Sequence, residues 1–429
     1  MSQTMVIAHK NRFIKYISLK NFLSYGEKEE HLELKPLNVF IGPNASGKSN
    51  LIEALRIFRA ASQIDYEKSI AGVIDQRGSL SEWIWKGEST NRIVELQLYT
   101  NCDERLNFLI EYNLKFREST KRSFEIFEES LFRRTKIHET SHTPKFDYYY
   151  QIGYPPSLAT YIWRQQEKDY IWRKQKKEKI IFYFNSKPTP VHDLTLNKSI
   201  LSQRIDPDSF PNVTYLAEQF SKILIYRAWD LEFDSLIRKP QSISKYPDFL
   251  LEDGSNLSLI ISNLMKNIKT QELLENKIKQ FYPLFIKLDY SHVGGIQILI
   301  EEKGLIEKIP VSRISDGLLR FLCLLSILCH PNPPSVICIE EPELNMHPDI
   351  IPTIAELLIE ASSKTQIFVT THSDILISAL SNHPECVIVC ERDENGTHLK
   401  RLKKKDLEKW LEKYKLGDLW LMNKIGGNP

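Results

Sequence analysis

Apolar and polar positions alternate along residues 13–34, and this period of two predicts strands at 13–19 and 31–34 joined by a turn near Gly26. Residues 37–41 are an almost unbroken apolar run, the mark of a buried strand, and residues 51–55 read as a helix just beyond it. Short strands are further predicted at 92–98, 108–114, 123–131, 146–152 and 180–184, a series that suits an antiparallel subdomain. From Tyr215 to about Gln280 the period becomes helical, through Leu216, Phe220 and Ile223 and then Leu257, Ile260, Ile261 and Leu264, with Pro240 and Pro247 interrupting it. No heptad pattern persists, so no extended coiled coil is expected. Pro331, Pro333 and Pro334 mark a boundary. Beyond it come strands at 336–339, 366–371 and 386–390, a turn at Asn395 and Gly396, and a basic helix over 403–414.

Between the buried strand and the first helix lie Gly42, Pro43, Asn44, Ala45, Ser46, Gly47, Lys48 and Ser49, followed by Asn50. This is a complete G-x-x-x-x-G-K-S phosphate loop. Glycine lets backbone N–H groups curl around phosphate oxygens, and the positive end of the following helix points at the same charge. Lys48 then reaches the β- and γ-phosphates of a nucleotide, and Ser49 holds Mg²⁺. A Gly- and Ser-rich turn would explain the composition, but not its coincidence with a strand before it and a helix after it.

The strand at 336–339 ends in Glu340, Glu341, Pro342 and Glu343. Carboxylates at the end of a central strand beside a phosphate loop have two natural tasks, holding hydrated Mg²⁺ and polarising the attacking water. Glu340 is assigned to the metal and Glu341 to the water, although an acidic cluster alone would more often cap a helix or line a loop. His372, just past the strand at 366–371, could hydrogen-bond a γ-phosphate, although a lone histidine is usually structural. Ser315, Asp316 and Gly317 precede an apolar helical run and by themselves mean no more than helix capping.

Charge and cysteine content alter this picture little. The 57 Lys and Arg against 55 Asp and Glu leave a net charge of +2, which argues neither for nor against nucleic acid. Cys102, Cys323, Cys329, Cys338, Cys386 and Cys390 lie mostly in apolar runs without C-x-x-C spacing, as reduced core thiols of a cytoplasmic protein would. The first ten residues hold too short an apolar core for a secretory signal. The longest apolar run, 318–329, contains Arg320 and falls short of the roughly 20 residues of a membrane span. A near-repeat, Tyr161, Ile162, Trp163, Arg164 and then Tyr170, Ile171, Trp172, Arg173, leads into Lys174, Lys176, Lys177 and Lys179. Such residues could bind phosphates and stacked bases, but a hairpin edge guarded by lysines is the simpler reading.

The order of parts, phosphate loop, Ser-Asp-Gly helix, Glu-Glu strand and Thr-His-Ser strand, is that of an ABC-type ATPase head. The chain resembles the SMC/RecF-like branch, in particular the compact bacterial AAA-type ATPases related to the ATPase half of OLD-family and phage-defence proteins. The resemblance rests on residues 17–55, including Leu19, Lys20, Asn21, Phe22, Leu23 and Ser24, and on 202–207, 251–257, 314–325, 337–348, 370–374 and 414–427. It implies an α/β P-loop NTPase head with an antiparallel β subdomain and a helical signature lobe. Residues 1–205 and 331–400 would form the two parts of the head, 206–330 the helical lobe ending in the signature motif, and 401–429 a C-terminal helix and tail. The implied cofactors are ATP and Mg²⁺. The resemblance also implies a homodimer that traps each ATP between one phosphate loop and the partner's signature helix. Ser315 and Gly317 would then contact the γ-phosphate in trans, Glu341 would be the catalytic base and His372 the γ-phosphate sensor. By position, Gln203 would be the lid-loop glutamine that couples the lobes. Ser-Asp-Gly-Leu stands where Ser-Gly-Gly-Gln is usual, and Glu340 where aspartate is usual.

The expected function is therefore an ATP-hydrolysing dimer switch acting in DNA repair or antiphage defence, with DNA or a separate nuclease or toxin chain as partner and higher oligomers allowed. The residues after His372 are too few for an added nuclease domain of usual size and show no clustered metal-binding carboxylates, so an effector would be another chain. The alternative is the nucleotide-binding subunit of an ABC transporter, and a third reading is a binding module whose hydrolysis has decayed. Residues 425–429 are expected to fray.

Overall fold

In the computed structural model, residues 12–88, 92–101, 108–118, 124–135, 171–176, 179–184, 187–189, 195, 197–203, 205–208, 210–242 and 248–427 are described. The chain opens with β1 (Ile14–Lys20), β2 (Glu30–Glu33) and β3 (Leu37–Ile41), then α1 (Lys48–Ala61) and α2 (Ile70–Asp75). A meander follows: β4 (Val94–Asn101), β5 (Phe108–Glu118), β6 (Phe124–Thr135), β7 (Ile171–Lys176), β8 (Lys179–Phe184) and β9 (Lys187–Thr189). Helices α3 (Ile200–Gln203) and α4 (Pro211–Ser221) lead to the short strand β10 (Leu224–Tyr226), and α5 (Leu257–Leu264) and α6 (Ile268–Lys279) to β11 (Phe285–Ser291), β12 (Gln297–Glu302) and β13 (Ile309–Pro310). The last third holds α7 (Asp316–Leu328), β14 (Val336–Glu340), α8 (Ile351–Ser362), β15 (Gln366–Thr370) and α9 (Asp374–Ala379). It closes with β16 (Val387–Asp393), β17 (Gly396–Arg401), α10 (Lys404–Leu411) and α11 (Leu416–Leu421).

These strands make three sheets. The central one has the order β10-β14-β15-β3-β16-β17, parallel throughout except for the antiparallel edge strand β17. Its inner strands are apolar at nearly every position because both faces are covered. Leu37, Val39 and Ile41 of β3, Ile337 and Ile339 of β14, and Ile367 and Val369 of β15 face a cluster shared with α5 and α7 to α9. The intervening Phe40, Val336, Cys338 and Phe368 face a second cluster shared with α1 and the antiparallel sheet. That sheet runs β2-β1-β4-β5-β6-β7-β8-β9, and a third, β11-β12-β13, is also antiparallel.

Several expectations need correction. β7 pairs with both β6 and β8, so the basic, aromatic stretch from Ile171 lies within its sheet; as a hairpin arm it was rightly read, as an edge it was not. The segment predicted as a strand at 146–152 and the first copy of the repeat at 161–164 lie outside the described residues. Within the region read as helical, β10 docks on β14 as an edge strand of the central sheet. The tail expected to fray is instead held down as far as Gly427: Ile425 is buried and Trp420 Nε1 donates to Gly427 O at 2.6 Å. Cys323, Cys329, Cys338, Cys386 and Cys390 are buried free thiols. Among the described residues no helix is long and apolar enough to cross a membrane.

Candidate functional site

Ligand sites of parallel α/β sheets form beyond the carboxyl ends of adjacent strands. Here β14, β15 and β3 are neighbours, and their ends carry Glu340 and Glu341, His372, and the phosphate loop respectively. The order of strands therefore gathers residues scattered over more than three hundred positions of sequence.

The loop needs its glycines for backbone reasons. Gly42 has φ 149° and a Cβ there would lie 2.2 Å from Cys390 O; Gly47, the residue before α1, has φ 102° and would meet Thr397 Oγ1 at 2.3 Å and Ser24 Oγ at 2.5 Å. Ala45 is also left-handed, with φ 62°. Pro43, Asn44 and Ala45 form the outward rim, whereas Ser46 is buried and its N–H donates to Pro43 O at 3.2 Å. Lys48 is buried and its ammonium donates to Gly42 O at 2.7 Å and Pro43 O at 2.9 Å, so it lies across the mouth of the loop. Burial draws its pKa down.

Beneath the loop is a support that the sequence reading did not assign. Ser24 Oγ accepts from Asn50 Nδ2 and from Thr397 Oγ1, both at 2.7 Å; Tyr25 OH donates to Gly47 O at 3.2 Å. The Asn-Phe-Leu-Ser stretch noted for its resemblance thus has a local task, bracing the base of the phosphate loop against β17. Ser24 lies four residues past the end of β1 and its partner Thr397 lies 373 residues further on, so no local pattern marks the contact.

Ser49 Oγ donates to Glu340 Oε2 at 3.1 Å, and the other oxygen of Glu340 faces Arg227 Nε at 3.1 Å. Burial pushes the Glu340 carboxyl upward, against the pull of Arg227. Two hard oxygen donors at this spacing beside a phosphate loop fit Mg²⁺, which binds through one or two protein oxygens and keeps phosphate and water in its remaining positions. Arg227 itself is fixed by Glu53, a buried carboxylate of α1 that Arg77 and Arg227 reach at 2.6 and 2.7 Å.

Glu341 follows directly with φ 48°, a left-handed conformation unusual for this residue. Its N–H donates to Thr370 O at 2.9 Å, and its carbonyl accepts from Arg320 Nη2 at 3.0 Å. Its carboxylate lies 4.0 Å from His372 Nε2. Burial and the nearby Lys48 charge lower the His372 pKa below its usual 6.5, with Glu341 opposing. Glu343, another residue without an assigned task, accepts from Thr371 Oγ1 at 2.6 Å and from His372 N at 3.0 Å and so fixes the backbone at the histidine.

Ser315 caps α7, its hydroxyl accepting from Leu318 N at 3.4 Å. Gly317 faces the turn after Glu341: a Cβ there would lie 3.5 Å from Asn345 O. Both line a cavity of about 410 Å³ with Phe281, Met346 and His347. Asp316 is ion-paired with the buried Arg238, which removes much of the repulsion this carboxylate would offer a phosphate. The carboxamide of Gln203 accepts from Thr195 N at 2.8 Å and donates to Lys198 O at 2.8 Å. Among the described residues no group of three or more His, Cys, Asp or Glu side chains is arranged to hold a metal ion.

Residues 37–378 match the family model described as "AAA domain, putative AbiEii toxin, Type IV TA system". The Old nuclease of Escherichia phage P2 is 23% identical over 402 residues, covering 89% of this chain but 59% of that protein, so the chain spans under two thirds of that relative. An SMC head bound to the C-terminal winged-helix domain of ScpA superposes with a TM-score of 0.51 at 12% identity, over 92% of this chain and 99% of that one. The Smc head of Pyrococcus furiosus, with an extended coiled coil and bound to the C-terminal domain of ScpA, gives 0.48 at 12% identity over 93% and 98%. With most of its length matched by that AAA-domain model and its fold that of an SMC head, the chain belongs to this AAA family, within the SMC/RecF/OLD-like ATPase superfamily.

Proposed function

We propose that this protein hydrolyses ATP with Mg²⁺ and uses the nucleotide to close and open a homodimer that controls DNA or a separate effector. The observation that carries the proposal is the convergence of Lys48, the Ser49–Glu340 pair, Glu341 and His372 at the ends of three adjacent strands. Lys48 leaves the Gly42 and Pro43 carbonyls for the β- and γ-phosphates, which offer it a full charge in place of two dipoles. Ser49 and Glu340 hold Mg²⁺, which would neutralise phosphate charge as it develops. Glu341 accepts a proton from the attacking water, and the neutral imidazole of His372 keeps an N–H to donate toward the γ-phosphate.

The open end of α7 supports the second half of the proposal. Ser315 and Gly317 border a cavity at the surface of the same molecule, and a second head can bring its nucleotide to that helix end. Residues 1–205 and 331–400 would act as the head and 206–330 as the signature lobe. By its position Gln203 would be the lid-loop glutamine that couples these units. The setting proposed is defence or repair; the toxin-system wording of the family description and the phage Old nuclease relative support the first.

Phosphate release from ATP tests the chemistry. Wild type is expected to turn over only with Mg²⁺, and Lys48→Ala and Glu341→Gln to lose turnover at least about a hundredfold, the scale of removing a group that acts in the transition state. Turnover unchanged in both variants contradicts the proposal. The purified chain is expected to leave DNA and RNA intact with Mg²⁺ or Mn²⁺; cleavage would show that the effector is not separate.

A further inference from the structure

Two closely packed glycines frame the segment 416–427. In α11, Gly417 lies so near α9 that a Cβ would sit 2.3 Å from both Asp374 O and Ser378 Oγ. At the other end, a Cβ on Gly427 would sit 2.6 Å from Val389 Cγ1 and 3.4 Å from Gly42 Cα, the first glycine of the phosphate loop. The stretch between is tied at several points. Leu416 N donates to Ser381 Oγ at 2.9 Å, Trp420 is fully buried, and its indole N–H donates to Gly427 O at 2.6 Å. Gly427 N in turn donates to Glu391 Oε1 at 3.0 Å, and Gly426 and Gly427 turn the chain with φ 81° and 63°.

One segment therefore packs on the helix that begins two residues after His372 and, at Gly427, comes within a methyl group's reach of Gly42 in the phosphate loop. Gly42 leaves no room for a Cβ against Cys390 O, has Gly427 nearby, and accepts from the Lys48 ammonium with its own carbonyl.

We propose that residues 416–427 are a strap that positions the phosphate loop and the His372 helix relative to each other, with Gly427 acting on ATP through Gly42 and Gly417 acting on His372 through α9. The proposal rests on the ATPase reading. Gly427 and Gly417 are positioning residues that touch no nucleotide. A loop already held in its bound shape does not lose order when ATP arrives, so a loosened strap weakens affinity. A shifted histidine helix instead misplaces a group used in the chemical step, which lowers kcat.

The test measures Kd for a non-hydrolysable ATP analogue, kcat and KM for ATP, and thermal melting without nucleotide. Gly427→Val is expected to weaken analogue binding about tenfold with kcat at saturation little changed. Trp420→Phe keeps an aromatic but smaller side chain and removes the N–H, and is expected to weaken binding about threefold. Gly417→Ala is expected to lower kcat about tenfold with little change in Kd. Gly304→Ala, at an open turn with φ 91°, is the control and should change neither. Unchanged Kd in Gly427→Val and Trp420→Phe, with wild type binding normally, overturns the strap alone. If Gly427→Val does not fold, Trp420→Phe decides by the same criterion. A rise in Kd together with a fall in kcat in all three variants, tracking melting temperature, marks a merely structural role and overturns the proposal. Wild type that takes up no nucleotide overturns the ATPase reading and the strap with it.

Discussion

At the scale of single residues, the site is defined by groups held away from their ordinary states. His372 is the clearest. Its pKa lies below 6.5 because burial and Lys48 disfavour the charged ring. The native state then binds fewer protons than the unfolded chain below that pH. Its contribution to stability is full above 6.5 and is lost as pH falls toward the folded value. An NMR titration of the His372 ring is expected to give a midpoint below 6.5 without nucleotide, and an upward shift when ATP brings negative charge beside it. A nucleotide-free midpoint at or above 6.5 would contradict the placement of the ring beside Lys48. Glu343 belongs to the same scale. Glu343→Ala strands Thr371 Oγ1 and His372 N and is expected to destabilise the protein by about 1–3 kcal/mol and to lower turnover. Glu343→Gln keeps an accepting oxygen and should recover most of both, as melting and phosphate release would show.

At the scale of elements, the phosphate loop, the Glu-Glu strand and the Thr-His-Ser strand were legible because each joins an apolar run to a polar end, a local pattern. Thr397, Arg227 and Arg320 were not. Each acts through a contact made only when distant elements fold together: β17 under the loop, β10 beside β14, and α7 against the Glu341 turn. The β11 to β13 sheet carried a signal, alternation in Phe285–Ser291 and a turn at Gly294 and Gly295, which the helical period just before it obscured. The edge reading of the basic stretch failed for a different reason: lysines are frequent on edges, but sheet order is set by pairing partners that a single stretch does not reveal. Glu53 ties α1 to β10 through buried charge. Glu53→Ala leaves Arg77 and Arg227 without their shared carboxylate and is expected to cost about 3 kcal/mol, read by denaturant unfolding. A loss under about 0.5 kcal/mol, the usual limit for an unremarkable surface change, would show that this network does not hold α1 to the chain at Arg227.

At the scale of the whole molecule, the two faces of one parallel sheet organise everything else. One face packs on the antiparallel sheet and α1, the other on α7 and its neighbours, and the candidate nucleotide site lies at the sheet's carboxyl end. Closure of two such heads on two ATPs would join each loop to the other's α7 and make hydrolysis the event that releases them. Light scattering on Glu341→Gln with and without ATP and Mg²⁺, with Lys48→Ala beside it, tests this most directly. The account predicts that ATP raises the mass to a dimer or higher in Glu341→Gln and leaves Lys48→Ala unchanged. A mass that stays the same with and without nucleotide in Glu341→Gln would contradict it.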